Sequence, residues 1–215
     1  LGGPATQNDV RPFLKNLFSD PLIIELPGGR VLRPVLAWLI STFRSKKVRG
    51  YYRLIGGGSP LQRLTAAQAR ALRDELVRRG HSGVRVEVAM RYTEPGAEEA
   101  IRRLCGAGER EILALPLYPH ECVATTTSSL LDLERARDRI APDVAISAVR
   151  SYHRHPGYLA AMAARIREAV ARLPVELRRG AVLLFSAHGV PEKFPRRGDP
   201  YVGQIRETVD ALRGL

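Results

Sequence analysis

The sequence predicts an α/β fold, a parallel sheet flanked by helices. Three observations predict it. From Val84 onward, short apolar runs of strand length alternate with longer segments of helical period. Polar residues stand where the runs stop. The most apolar run, Val182-Leu183-Leu184-Phe185, breaks at once into Ser186-Ala187-His188-Gly189, with more glycine and proline beyond. Such a run suits a strand buried on both faces, as parallel sheets require. The βαβαβαβα order implies right-handed crossovers with helices on both sides of the sheet.

The elements follow in order. Leu1-Gly2-Gly3-Pro4 reads as a turn directly after a strand outside the sequence. Val10 to Phe18 carries Val10, Phe13, Leu14, Leu17 and Phe18 at helical spacing. Residues 21–47 are apolar, Pro-broken and end in Arg44-Ser45-Lys46-Lys47. Two readings stay open there: a core helix around Val35 to Phe43, or an exposed apolar lip beside a pocket, with basic residues suited to a membrane surface. The Gly56-Gly57-Gly58 turn has no Lys-Ser/Thr after it and no strand before it, so it is no P-loop. Thr65 to Arg79 is a helix, opened by a Thr65/Gln68 capping box and closed by Gly80.

The alternation then sets in. Val84 to Met90 is a strand, Pro95 to Cys105 a helix, and Ile112 to Leu117 a buried strand. The cluster Thr125 to Ser129 caps a helix reaching Arg139. Val144 to Val149 is a strand, and Pro156 to Leu173 a long amphipathic helix. Ala181 to Ser186 is the last strand, and Val202 to Arg213 the last helix.

Composition bounds the function. The chain has 215 residues, 45% hydrophobic and 26% charged, ordinary for a globular protein. Its net charge of +12 suits an anionic partner, or simply a basic proteome. The arginines are scattered through helices and form no aromatic-studded patch, which argues against the competing reading of a nucleic-acid-binding protein. Two cysteines, Cys105 and Cys122, with no CxxC pair, argue against a disulfide scaffold and fit a reducing compartment. No signal peptide and no membrane-length apolar run is present. A cytoplasmic location is expected, with peripheral membrane contact through residues 21–47.

The ends of the expected strands carry the chemistry. Arg91-Tyr92, Tyr118-Pro119-His120, Tyr152-His153 and Ser186-Ala187-His188 all follow strands. In an open parallel sheet those ends share the rim where ligands bind. Tyrosines, an arginine and histidines together suit a flat, anionic, metal-related ligand better than a phosphate.

At these residues the sequence closely resembles the ferrochelatases, which insert ferrous iron into a porphyrin. The matching segments are LGGP at 1–4, YRLIGGGSP at 52–60, MRY at 90–92, PLYP at 116–119, TTTSSL at 125–130 and FSAHGVPEKFPRRGDPY at 185–201. The resemblance implies two Rossmann-like, chelatase-type domains, residues 1–142 and 143–215, with the porphyrin in a cleft between them. It implies that His188 is the catalytic and metal-site histidine, and that Leu1, Arg91, Tyr92 and Tyr118 bind the macrocycle. LGGP and PLYP lean toward protoporphyrin IX over coproporphyrin III. The family's catalytic glutamate would lie beyond residue 215, as would the iron–sulfur cysteines of some relatives, so no cofactor is expected and ferrous iron is a substrate. A fragment that binds porphyrin without full catalysis is the alternative. Where relatives read PQYSCST, this chain has Pro119-His120-Glu121-Cys122-Val123-Ala124-Thr125, which removes a hydroxyl at Ala124 and adds His120.

The chemistry expected of these residues is simple. A porphyrin must lose two pyrrole protons to take a divalent ion. A neutral imidazole accepts protons and ligates ferrous iron. Arg91 would pair with a propionate, Tyr92 and Tyr118 would bracket the ring, and Glu192 would be loop surface.

Overall fold

The computed structural model describes residues 1–24 and 29–214. The part of the expected lip at 25–28 therefore lies outside the described residues. The elements are α1 (Val10–Ser19), α2 (Gly29–Leu54), α3 (Leu61–Arg78), α4 (Ala97–Gly106), β1 (Glu111–Ala114), a π-turn at Val123–Thr127, α5 (Ser128–Ile140), β2 (Ala145–Ala148), α6 (Pro156–Ala171), α7 (Val175–Arg178), α8 (Lys193–Arg196) and α9 (Tyr201–Arg213). The fold is mixed α/β with a small parallel sheet of two strands, β1 and β2.

The chain divides into two compact units. The first comprises Leu1–Ala114 and Thr127–Ser147; the second, Leu115–Thr126 and Ala148–Leu215. The first unit holds two apolar cores. One packs α1 on α2 through Val10, Leu14, Phe18 and Ala37. The other packs α4 on α5 through Ala97, Ile101, Ala136, Ala141 and Val144. Val10 and Ile101 are fully buried. Removing either side chain would cost about 2–5 kcal/mol through lost transfer energy and the cavity left behind.

Two glycine motifs meet in this unit. The Ser59 N–H donates to the Pro4 carbonyl at 2.7 Å. A Cβ on Gly58 would stand 1.9 Å from the Ala5 carbonyl oxygen, and one on Gly3 2.7 Å from Ser59 Oγ. LGGP and GGGSP are thus two faces of one backbone contact, rather than a free turn and a flexible one.

Three expectations are corrected. The capping box at Thr65 lies inside α3, which starts at Leu61 after Pro60. Proline at a helix start loses no needed donor, so the helix extends back to it. The expected strand Val84 to Met90 forms only a bridge from Met90 to Gly96. Its alternation survives, with Val86 and Val88 half-buried and Met90 buried. The expected strand Ala181 to Ser186 also forms no ladder. Val182 and Leu184 are 90% and 88% exposed. Apolar period reports which side chains favour burial; a strand also needs a neighbour for its N–H and C=O groups. Among the described residues, neither segment joins the sheet. The expected parallel sheets are thus reduced to one short βαβ unit, β1–α5–β2.

Helix α2 decides the reading of the 21–47 stretch in its described part. Val35, Trp38 and Phe43 are exposed, Phe43 by 76%, while Ala37, Ser41 and Ser45 turn inward. Both readings hold in part: the inner face, with Ala37, joins the core with α1, and the helix also carries an apolar outer face.

Candidate functional site

The first unit brings Leu1, Arg91 and Tyr92 together. The Tyr92 N–H donates to the Leu1 carbonyl at 2.9 Å, and the Arg91 guanidinium lies 4.8 Å from the centre of the Tyr92 ring. Both residues are organised by Asp20, whose side chain is only 1% exposed. Arg91 Nη2 donates to Asp20 Oδ2 at 2.9 Å and the Tyr92 hydroxyl donates to the same oxygen at 2.6 Å. The Ser128 hydroxyl also donates to it, and the Leu22 N–H reaches Oδ1 at 2.9 Å. Arg91 Nη1 makes a second pair, 3.3 Å from Asp132.

The electrostatics follow from these bonds. Burial by itself pushes the Asp20 carboxyl up. Hydrogen bonds from Ser128, Tyr92 and Leu22, with the Arg91 charge, outweigh it and hold the carboxyl below its usual range. Burial, and then the hydrogen bond to Asp20, push the Tyr92 phenol well above its usual value. Tyr92 is thus a neutral donor. Arg91 was expected to keep its charge for a propionate; two carboxylates of its own chain already face it. Arg91 and Tyr92 border a cavity of about 660 Å³, lined also by Asn16, Asp132, Arg135 and Arg139.

The second unit holds Tyr118 and His188. Tyr118 is half-buried, just before the segment Pro119–Val123. His188 is exposed. Its Nδ1 lies 2.8 Å from the Gly189 carbonyl. A carbonyl can only accept, so Nδ1 carries a proton, and in the neutral ring Nε2 keeps its lone pair. The loop beyond is anchored at three points. Phe194 is buried. Asp199 Oδ1 accepts the Tyr201 N–H at 2.9 Å, and Oδ2 accepts the Val123 N–H at 2.7 Å. The Tyr201 phenol oxygen accepts a hydrogen bond from the His188 backbone.

Two further rim histidines meet here. His120 and His153 have ring centres 5.9 Å apart, and Tyr158 and Tyr201 set their edges against His120. Both histidines face α9: His120 Nε2 lies 2.9 Å from Thr208 Oγ1, and His153 Nε2 lies 2.9 Å from Glu207 Oε2. Cys122 is buried, and that burial pushes its thiol up to about 11. It is an unreactive thiol, not a nucleophile. No group of three or more His, Cys, Asp or Glu arranged to hold a metal occurs among the described residues.

Sequence reasoning missed Asp20, Ser128, Asp199 and Tyr201. Asp199 had a readable signal, an acidic residue after Gly198 and before Pro200 at the start of α9. Asp20 had none, because its partners lie 71, 72 and 108 residues away in the chain.

Comparison with known proteins agrees with these motifs. The family model described as ferrochelatase matches residues 1–214. Ferrochelatase of Gloeobacter violaceus is 46% identical over 215 residues, covering 99% of this chain and 64% of that protein. Ferrochelatase of Parasynechococcus marenigrum is 46% identical over 215 residues, covering 99% of this chain and 54% of that protein. Ferrochelatase of a Synechocystis species is 45% identical over 208 residues, covering 95% of this chain and 53% of that protein. The chain thus spans between about half and two thirds of the length of these relatives. On the match across residues 1–214, this chain belongs to the ferrochelatase family.

Proposed function

We propose that the protein serves porphyrin metallation, inserting ferrous iron into protoporphyrin IX to give haem. The observation that carries this reading is the His188 ring, exposed and with Nδ1–H donating to Gly189, which in the neutral ring leaves Nε2 a lone pair. The ferrous ion enters as the two pyrrole protons leave. Nε2 takes one of those protons or hands over the metal. General-base help of this kind contributes about 10²–10⁴-fold.

In the first unit Leu1, Arg91 and the buried Tyr92 beside them, and in the second unit Tyr118, are the residues that would bind porphyrin. Arg91, packed on Tyr92, would pair with a propionate beside Asp20 and Asp132, which also face its charge. The apolar outer face of α2 and its lysines and arginines give a peripheral contact with an anionic membrane surface, from which an apolar porphyrin would arrive. Among the described residues, no helix is long and apolar enough to cross a membrane.

The test follows zinc or ferrous insertion into protoporphyrin IX by fluorescence, beside porphyrin binding by absorbance. His188→Ala should lower insertion at least tenfold while porphyrin still binds. Insertion above a tenth of the starting rate would end the role of His188. A second reading is that it holds porphyrin without metallating it. Porphyrin binding with no insertion by the unaltered chain would select that reading. Coproporphyrin III in the same assay would separate the two substrates.

A further inference from the structure

Four consecutive residues fasten one segment to the region that opens and forms α9. His120 Nε2 lies 2.9 Å from Thr208 Oγ1. The Glu121 N–H donates to Gln204 Oε1 at 2.7 Å. The Cys122 thiol bonds the Asp199 carboxylate. The Val123 N–H donates to Asp199 Oδ2 at 2.7 Å. Two of these contacts use backbone donors, which do not titrate. Cys122 stays protonated to about pH 11. His120 is the contact among the four whose donor changes charge near neutrality.

Donor counting fixes the His120 tautomer. Thr208 is buried, and its single hydroxyl proton has carbonyl acceptors at His153, 3.2 Å, and Gln204, 3.1 Å. With that proton committed, Thr208 Oγ1 accepts from His120 Nε2–H. A neutral ring satisfies this bond and leaves Nδ1 bare.

A second proton would find the nearby carboxylates Glu207, Glu121 and Asp199 already engaged. Against the His120 ring stand His153, Tyr158 and Tyr201; the other titratable and charged groups on the neighbouring elements are Tyr152 and Arg154 before α6, Glu207 on α9, and Glu121 and Cys122 on its own segment. Glu207 is engaged by His153 Nε2 at 2.9 Å and by Arg154 at 3.9 Å. Glu121 is engaged by Arg150 at 2.6 Å. Asp199 is committed to Val123, Cys122 and Tyr201.

We propose that His120 is a positioning residue: as a neutral imidazole it latches the segment Pro119–Val123 to α9, and protonation releases the latch. Burial first, and then the neighbouring His153, hold its pKa below the usual value. The sign follows. In the opened state the ring regains its ordinary affinity for protons, so below about pH 6.5 opening is favoured and the latch weakens as pH falls. Resting on the porphyrin reading, the latch has a functional consequence. It sets the segment that follows Tyr118. Through Tyr201, whose ring edges His120 and whose oxygen holds the His188 backbone, it also sets the His188 loop.

Hydrogen exchange of the intact protein tests the latch without any porphyrin. Protection of peptides covering 119–124 and 201–208, corrected for intrinsic exchange, should fall between pH 7.5 and 5.5, by at most about tenfold. In His120→Gln, whose amide can donate to Thr208, protection at pH 7.5 should persist and the pH step should vanish. His120→Ala should be open at both pH values. An unchanged step in His120→Gln, or its loss in His153→Gln alone, would overturn the proposal. So would a flat profile in the unaltered protein. Failure of porphyrin binding would end the functional consequence and leave the exchange result standing.

Discussion

Arg91 and Asp20 form a closed ion pair, 2.9 Å apart, with the arginine side chain 16% exposed and the aspartate 1%. Seventy-one residues separate them in the chain. The pair ties the end of α1 to the residues before α4 and to Ser128 at the start of α5. Removing the Asp20 charge weakens the hydrogen bonds that Arg91, Tyr92 and Ser128 make to it, while Arg91 keeps Asp132, at a cost of about 1–3 kcal/mol. Asp20→Asn should therefore lower the unfolding free energy by that order in urea titration. A loss under 1 kcal/mol would show that the pair is dispensable.

The same carboxylate sets an acid limit. Its folded pKa lies below that of an unfolded aspartate, about 3.9. Its contribution is complete above that value and is lost as pH falls through the lower folded value. Thermal scans from pH 6 to 2.5 should show a fall in Tm beginning near pH 4, and that component should be absent in Asp20→Asn. An identical acid slope in both proteins would assign the loss to other carboxylates.

Helices were legible where one face had a partner within the same unit. α1, α4, α5, α6 and α9 each sit where apolar spacing and a start or stop signal place them. Strands were less legible. The period of Val84 to Met90 matches its alternation of inward and outward side chains, yet period carries no information about the neighbouring strand. Val182–Phe185 shows the same limit more sharply, apolar throughout and exposed. Of the site, the motif residues could be found in the sequence because glycine, proline, histidine and tyrosine cluster at loop positions. Their partners could not, because Asp20 and Thr208 look like ordinary helix-end and helix residues until the chain is folded.

The meeting of the two glycine motifs gives a steric prediction. A methyl group on Gly58 would fall 1.9 Å from the Ala5 carbonyl oxygen, a backbone atom that no rotamer change can move. Gly58→Ala should destabilise by about 1–3 kcal/mol, the usual range for forced overpacking. Gly50→Ala is the control, since nothing lies within 4 Å of its would-be Cβ, and alanine is the better helix former in α2. Chemical denaturation of both variants should move the midpoint in opposite directions. A Gly58→Ala midpoint equal to the starting protein's would mean that the backbone contact yields.

Tyr201 offers a way to disturb the His188 loop without touching His188. Its phenol oxygen takes a hydrogen bond from the His188 backbone, while its ring packs on His120 at 6.1 Å. Tyr201→Phe keeps the ring and deletes the acceptor, a change worth about 1 kcal/mol locally. Exchange at His188 should speed up about fivefold, while exchange across α6 stays as it was. If His188 acts in metal insertion, the variant should lose rate with little change in porphyrin affinity. Equal acceleration across both segments would indicate general loosening of the unit and remove Tyr201 as a specific support.

The chain has a single tryptophan, Trp38, and it lies on the outer face of α2 at 48% exposure. Val35, Leu39 and Phe43 are exposed on the same helix, and Lys47 lies over Tyr51 one turn beyond. Apolar insertion with basic flanks is what binds a helix to an anionic bilayer surface, each basic residue near the surface adding about 1 kcal/mol. Vesicles containing phosphatidylserine should shift the Trp38 emission to the blue, and vesicles of phosphatidylcholine alone should shift it less. Phe43→Ser should weaken the shift through lost apolar contact. Lys46→Gln combined with Lys47→Gln should weaken it only for the anionic vesicles, since the Coulomb part is what salt and charge removal erase. A Trp38 spectrum unmoved by either vesicle would mean that the exposed face of α2 meets something other than lipid.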